Sequence, residues 1–349
     1  MNQRDVNLSS VVVDRAQQPH DQFLSLAEAT TFGTDGLQYR RLDVRSQLDR
    51  FCQPVYFHAI VDGELTGVYV LDKRDLLVDG KAVKAYYRGV LAVDSRFQGM
   101  GVGKQLTQAA RQWMAAKAVA QPIVSFGCID KSNRRSLNLL QSSGATVGAS
   151  LSMYMMYRQW PSVCCELDVL SDDLVSKAGL LADELYADCL VRDVSVSAIP
   201  GWVLQDANGV AISARVSTTS FQITQMGPVA AWSSRLLVKP FAPARKRFDP
   251  DCFRYVSFSD VLIRPGCEKL WSRFLSTVLA KYQCHFGAVF VDPHSQLFAS
   301  LQNAHLLSRR LHSSEGSIRV MWQSFSDAND SKVILPGYTQ GVHLWPVDA

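Results

Sequence analysis

LAVDSRFQGMGVGK, residues 91–104, joins an apolar strand to a long helix through a loop with glycines at 99, 101 and 103. Backbone without a Cβ lets a ligand come close. The first amides of a helix have no partner inside it and point outward. With the helix dipole they form an anion site suited to a pyrophosphate. The stretch is not a P-loop, which needs GxxxxGK followed by Ser or Thr, because positions 98 and 105 are both Gln. It is not GxGxxG either. Counted from Gly101 the last place is Leu106, and counted from Gly99 it is Lys104. A third pattern, Gln/Arg-x-x-Gly-x-Gly/Ala after a strand ending in Val, is met by Gln98, Gly101 and Gly103 after Val93.

Working outward, the chain alternates strands and helices. Val11–Val13 reads as a short strand, and a helix starting near Pro19–Asp21 carries Phe23, Leu24, Leu26 and Ala27. Tyr56–Val61 and Leu65–Leu71 form a hairpin about Asp62-Gly63, a dipeptide suited to positive φ. A turn at Asp79-Gly80 leads into a long strand, Ala82–Val93. Residues 104–119 have helical periodicity, with Leu106, Ala109, Ala110 and Trp113 on one side, and Gln121-Pro122 ends the helix. The apolar strand Ile123–Ile129 and a helix from Ser132 to Ser143 follow, with Gly144 at the helix C-terminus. Residues 145–158 return as a long strand or a strand pair.

Here the chain resembles the GNAT superfamily of acyl-CoA-dependent N-acyltransferases. A second motif of that family, Asn-x-x-Ala-x-x-Leu-Tyr-x-x-x-Gly-Phe, has counterparts at Asn133, Ser136, Leu139, Leu140, Gly144 and Ala145. Two motifs in order with a strand between them are more specific than either alone, and the match covers roughly residues 50–158. The resemblance implies that the backbone of Leu91, Ala92 and Val93 pairs with the pantetheine arm of acetyl-CoA. Amides from Gln98, Gly99, Met100, Gly101, Val102, Gly103 and Lys104 would hold the pyrophosphate, and Asn133 the pantetheine or phosphate portion. The reaction it implies is direct attack of a primary amine on the thioester carbonyl in a ternary complex. A backbone N–H near Leu91–Val93 would stabilise the oxyanion. Proximity of amine and thioester supplies much of the acceleration.

The departure from the family is Leu140, which stands where the family often has a tyrosine acid for the departing thiolate. A thiol with a pKa of roughly 8.5 is a fair leaving group unaided, and Tyr154 is a substitute donor to consider. Tyr86, Tyr87, His58 and Asp130 lie on or beside central strands as candidate bases, but nothing in the sequence selects a catalytic acid or base. Cys128 lies on the strand beside the groove, with no His near it in sequence.

The second half repeats the order: strand Val163–Leu170, helix Asp172–Leu190 capped by Ser171, and hairpin Trp202–Leu204 and Ala211–Val216 about Asn208-Gly209. Then come strand Arg254–Ile263, helix Glu268–Tyr282, strand Phe286–Val291, helix Ser295–His305 and a final strand Ile318–Phe325. Leu236–Pro250, with Lys239, Arg245, Lys246 and Arg247, reads as an irregular basic loop. The glycine loop is degraded to Arg264-Pro265-Gly266-Cys267-Glu268-Lys269. Proline removes a donor there, and glutamate is unfavourable beside phosphate.

The expected fold is therefore α/β (α+β). It comprises two tandem GNAT-like domains, each a mixed, mostly antiparallel sheet flanked by helices. Residues 1–160 would hold the acetyl-CoA site. Residues 161–349 would be a degenerate GNAT-like domain without one, walling the acceptor site. The 349 residues, 47% hydrophobic and 19% charged, exclude a mainly disordered chain. Net charge is +4, divided as +5 over residues 1–160 and −1 over the rest, too dispersed for a nucleic-acid binder. No run of about eighteen apolar residues suggests a membrane span. Eight scattered cysteines without CxxC, and no signal-peptide core, fit the reducing cytoplasm. No metal is expected. The acceptor is a small-molecule amine or a protein amino group, and the chain a monomer or homodimer. A sensor or subunit that binds acyl-CoA without turnover, or an enzyme using a longer acyl or acyl-carrier-protein donor, are the alternatives.

Overall fold

The computed structural model describes residues 11–34, 37–187, 189, 191–195, 199–227, 248–303, 318–326 and 342–343. In chain order its first half holds β1 (Val12–Ala16), α1 (Phe23–Ala29), β2 (Phe32–Thr34), β3 (Leu37–Arg41), α2 (Val44–Leu48), β4 (Pro54–Val61) and β5 (Glu64–Val78). These are followed by β6 (Lys81–Val93), α3 (Val102–Lys117), β7 (Ile123–Asp130), α4 (Arg134–Ser142) and β8 (Thr146–Tyr157). The second half holds β9 (Asp168–Val169), α5 (Asp172–Leu185), β10 (Val191–Asp193), β11 (Gly201–Asp206), β12 (Gly209–Met226) and β13 (Phe253–Ile263). It closes with α6 (Trp271–Lys281), β14 (Phe286–Val291), α7 (Gln296–Asn303), β15 (Ile318–Phe325) and β16 (Val342–His343).

The main strand order is β1-β4-β5-β6-β7-β15-β8-β14-β13-β12-β11-β9 within one 16-stranded sheet. The mixed, mostly antiparallel α/β class therefore holds. The two halves exchange their closing strands. β15 lies between β7 and β8, antiparallel to both, while β8 pairs along its other edge with β14. Two further links cross between the halves, β3 to β12 and β10 to β5.

Local chemistry explains the elements. α3 buries Val102, Leu106, Ala110 and Met114, spaced four apart on one face. The hairpin turns at 62–63 and 79–80 have positive φ at both residues of each pair, the geometry that Asp-Gly favours. α1 and α2 cover one face of the sheet through Phe23, Ala27, Val44 and Leu48. α3 covers the other through Leu106, Ala110 and Met114. α4 lies on the face of α3, packing Leu137 and Leu140 on Ile129 and Met321.

Three expectations need correction. Only Asp168–Val169 of the expected strand 163–170 is extended in a ladder. Ahead of it the backbone is satisfied by α6 side chains instead. Ser162 N donates to Ser276 Oγ (3.1 Å), Cys164 N donates to Thr277 Oγ1 (3.0 Å), and Arg273 donates to the Cys164 carbonyl (2.8 Å). The helix expected to Leu190 ends at Leu185, and Ser171 sits at its N-terminus without a side-chain cap bond. β15 is not the last strand, because Val342–His343 pairs with β10. β2, β3, α2, β10 and β16 were not foreseen. They are short, and distant pairing creates most of them. The loop residues 236–247, with Lys239, Arg245, Lys246 and Arg247, and His305 lie outside the described residues.

Candidate active site

The parallel ladder between β6 and β7 runs from Lys84↔Ile123 to Tyr87↔Phe126 and stops. Both strands continue, so they fork. Residues 88–93 form one wall and 127–130 the other. A bulge on the far edge of β6 bends it away. Tyr69 pairs with Leu91 and Leu71 with Arg88, so Gly89 and Val90 together face Val70. The ring of Phe51 fills the place of a side chain at Gly89, where an added Cβ would lie 2.8 Å from it. At the base of the fork Gly127 passes Arg88, whose own Cβ would be 3.1 Å from a Cβ at 127.

The rim is the loop read from the sequence. Gly101, at φ 85° and ψ −1°, precedes α3. The first helical bond recorded there runs from Gln105 N to the Gly101 carbonyl (3.0 Å). The amides of Val102, Gly103 and Lys104 thus belong to the turn that has no acceptor inside the helix. α3 is seated by Gly67, where a Cβ would meet Val102 and Leu106 at 2.9 Å. Gln98 Nε2 donates to the Val93 carbonyl (3.0 Å), and Arg135 Nη1 donates to Gln98 Oε1 (3.2 Å). This ties the loop to both the β6 wall and α4. Asp94 caps the turn at 95–97 by accepting from Arg96 N (2.8 Å), and hydrogen bonds from Arg96 hold its carboxyl below the usual range. Asn133 caps α4, its Oδ1 accepting from Ser136 N (3.1 Å). Lys104 is exposed. The fold thus gathers Leu91, Ala92, Val93, the 98–104 loop and the start of α4 around one cleft.

Of the candidate acids and bases, only Asp130, at the end of the β7 wall, belongs to the fork. Leu140 points into the apolar cluster of Leu137, Ala145, Ile129, Val147 and Met321. Tyr154 is in the other half's core, opposite Val289 and 5.5 Å from the Phe298 ring. Tyr86 packs on Trp113 of α3 (5.1 Å), and burial raises its phenol pKa. Tyr87 lies against Phe126 on the α1 face. His58 accepts from His20 N (3.1 Å), and burial, then His20, lowers its pKa. Asp130 accepts from Ser132 N (2.8 Å) and shapes the turn before α4. Cys128 is half-buried opposite Val320, on the α1 face.

The residues that sequence reasoning missed are Arg135, Tyr69 and Arg88. The signal for Arg88 was a charge inside the apolar run 85–93, AYYRGVLAV.

The second half has the same fork in a closed form. β13 pairs with β14 only from Val256↔Gly287 to Phe258↔Val289. Its bulge places Asp260 and Val261 opposite Ala214. This is the counterpart of Gly89-Val90, and Asp260 there has φ +47°. In the degraded loop, Glu268 Oε1 accepts from Gly266 N (3.1 Å), so a carboxylate of the chain itself occupies an anion's place. Arg264 pairs with Asp206 beside it.

Asp260 is the most perturbed carboxyl at the seam between the halves. Burial, then Asp193, pushes it up to about 6, with Arg215 and Arg74 opposing. Arg215 Nε lies 3.1 Å from it, and 37% of its side chain stays exposed. A folded pKa above the unfolded value means that its contribution to stability is full below about pH 4 and lost as pH rises through 6. Asp260→Asn is expected to raise the melting temperature at pH 8 and to leave it unchanged below pH 4. An equal gain at both would show that the carboxyl is not the cause.

Among the described residues no three His, Cys, Asp or Glu side chains are grouped to hold a metal, and no helix is long and apolar enough to cross a membrane.

A forked sheet, a bulge and an open helix N-terminus at the fork's mouth make up the candidate site. Residues 22–145 match the family described as the acetyltransferase (GNAT) family. No curated protein matches the sequence. Among solved structures, Saccharomyces cerevisiae N-myristoyltransferase with bound myristoyl-CoA is similar at TM-score 0.61 and 9% identity. The match covers 97% of this chain and 90% of that one. A second structure of N-myristoyltransferase from that yeast has TM-score 0.59 and 10% identity, over 97% and 86%. At these identities the likeness is one of fold.

Proposed function

We propose that the protein transfers an acyl group, acetyl in the simplest case, from acyl-CoA to a primary amine by direct attack in a ternary complex. The observation that carries this reading is the fork between β6 and β7 with the open end of α3 at its mouth. Leu91, Ala92 and Val93 offer an unpaired strand edge to the pantetheine arm. The amides of Val102, Gly103 and Lys104 offer donors to the pyrophosphate, and Lys104 and Arg135 add positive charge. The amine attacks the thioester carbonyl and the oxyanion is met by a backbone N–H at the bulge. The C–S bond then breaks, with its electron pair going to sulfur.

Only the first half is read as a working site, because Glu268 closes the second. The chain is read as two units, 1–160 and 161–349, that exchange β8 and β15. A longer acyl chain is the second reading. What favours it is the likeness over nearly the whole chain to a protein solved with myristoyl-CoA.

The test is calorimetric titration with acetyl-, octanoyl- and myristoyl-CoA, followed by thiol release in an amine pool. One equivalent is expected, and the tightest chain length names the donor. Two equivalents would mean that the second half also binds. Binding without release in any amine would favour a sensor. No binding by folded protein would leave a carrier-protein donor.

A further inference from the structure

Arg88 stands at the base of the fork, the first residue of β6 beyond its ladder with β7. It is 7% exposed. Its Nε (3.1 Å) and Nη2 (2.7 Å) donate to Ser125 Oγ, and Nη2 also donates to Gln323 Oε1 (2.8 Å). Gln323 is fixed in turn, because its Nε2 donates to the Ser143 carbonyl (2.8 Å). These partners are neutral. Among the described residues no carboxylate pairs with Arg88, and its buried Nη1 has no hydrogen-bond partner. The titratable group whose charge acts on Arg88 is the Tyr69 phenol. Burial pushes that phenol's pKa up, and the charge of Arg88 opposes the rise.

A buried charge held by neutral groups alone is costly. It is economical only where negative charge arrives. Tyr86, two residues before Arg88 on β6, packs on α3, and residues two apart share a face. Arg88 therefore lies on the face that carries α3 and α4. A pyrophosphate at the α3 N-terminus brings the thiol arm down that same face. Pairing over Leu91–Val93 spans about 10 Å and ends at the bulge, beside Arg88. The thioester arriving there is neutral. Its sulfur becomes an anion only as the C–S bond breaks.

We propose that the Arg88 guanidinium, at the base of the fork, stabilises the departing thiolate by its charge, in the absence of a donor at Leu140. This rests on the acyl-CoA reading of the fork. The amine nitrogen forms the C–N bond, the C–S bond breaks, and its electron pair stays on sulfur as CoA thiolate. The amine's proton goes to solvent. Arg88 stays protonated throughout, because a guanidinium does not give up its proton in a protein. The thiolate is protonated by water after release. The interaction is made with the transition state and not with the bound thioester, so it appears in turnover and not in affinity.

The test compares wild type, Arg88→Gln and Arg88→Lys with two donors of one acyl group, the CoA thioester and the p-nitrophenyl thioester. The second leaving group is a much weaker base and needs no such help. Arg88→Gln is expected to bind acyl-CoA as wild type does by calorimetry. Its transfer from the CoA donor should fall about 100-fold, the size seen when one preorganised donor is lost. Its transfer from the nitrophenyl donor should be nearly unchanged. Arg88→Lys keeps the charge and should recover part of the CoA rate. If circular dichroism shows Arg88→Gln unfolded, the donor selectivity of Arg88→Lys decides. Equal losses on both donors, or no loss on the CoA donor, would overturn the proposal. A wild type that binds no acyl-CoA, or releases no thiol from any, would remove the transferase reading itself and this assignment with it.

Discussion

Gly148→Ala is expected to lower the melting temperature by several degrees and to loosen the join between the two halves. Gly148 lies in β8 at an irregularity of the β8–β15 ladder, where Val320 pairs with Ala149 but Met321 with Val147. The indole of Trp322 fills the space beside it. An added Cβ would fall inside the ring system, on Cε2, Cζ2 and Nε1. Trp322 is 2% exposed and packs in the core beneath α1 and α2, so it has little room to yield. Overpacking of this kind costs about 1–3 kcal/mol, and more where nothing relaxes. The consequence reaches beyond one side chain, because β15 is the strand that the second half contributes to the first. Trp322→Ala alone should cost about 3–5 kcal/mol through the cavity. The double variant should be no less stable than Trp322→Ala, since the clash has gone. Additive losses would show that Gly148 is needed for another reason.

Gly101→Glu is expected to abolish acyl-CoA binding. Gly101 sits at φ 85° just ahead of α3, a conformation that costs an ordinary L residue about 1–2 kcal/mol. Glutamate adds a negative charge where the helix terminus would meet phosphates, and that is the larger effect. Gly101→Asn separates the two, because asparagine tolerates the left-handed region and brings no charge. Asparagine is expected to bind within about tenfold of wild type, a difference of roughly 1.4 kcal/mol. Glutamate should show no heat of binding while folding normally. If both variants bind alike, the anion does not lie at this terminus.

Most of the first half was legible because its signals are local. Asp62-Gly63 and Asp79-Gly80 are turns by their own backbone preferences. Val102, Leu106, Ala110 and Met114 mark a helix face by spacing alone. The glycine loop was legible for the same reason, since glycines, strand and helix are contiguous over 91–104. The strand expected at 163–170 failed because extended chain needs a partner. Here Ser276 and Thr277 of α6 supply the hydrogen bonds that a neighbouring strand would have made. β3 and β10 went unread for the converse reason, because their partners, β12 and β5, are far away in sequence.

The sequence by itself determined most of the longer elements, the turns, the glycine loop and the loss of that loop in the second half, since each depends on residues adjacent in the chain. The tertiary structure alone decided three things. β15 and β8 are exchanged between the halves. Leu140 faces a hydrocarbon cluster and Tyr154 the distant core. Arg88 stands between Ser125 and Gln323, brought there from 37 and 235 residues away, with no carboxylate paired to it among the described residues. Strand pairing and buried charge depend on which distant groups are brought together or kept apart, and no local pattern carries that information.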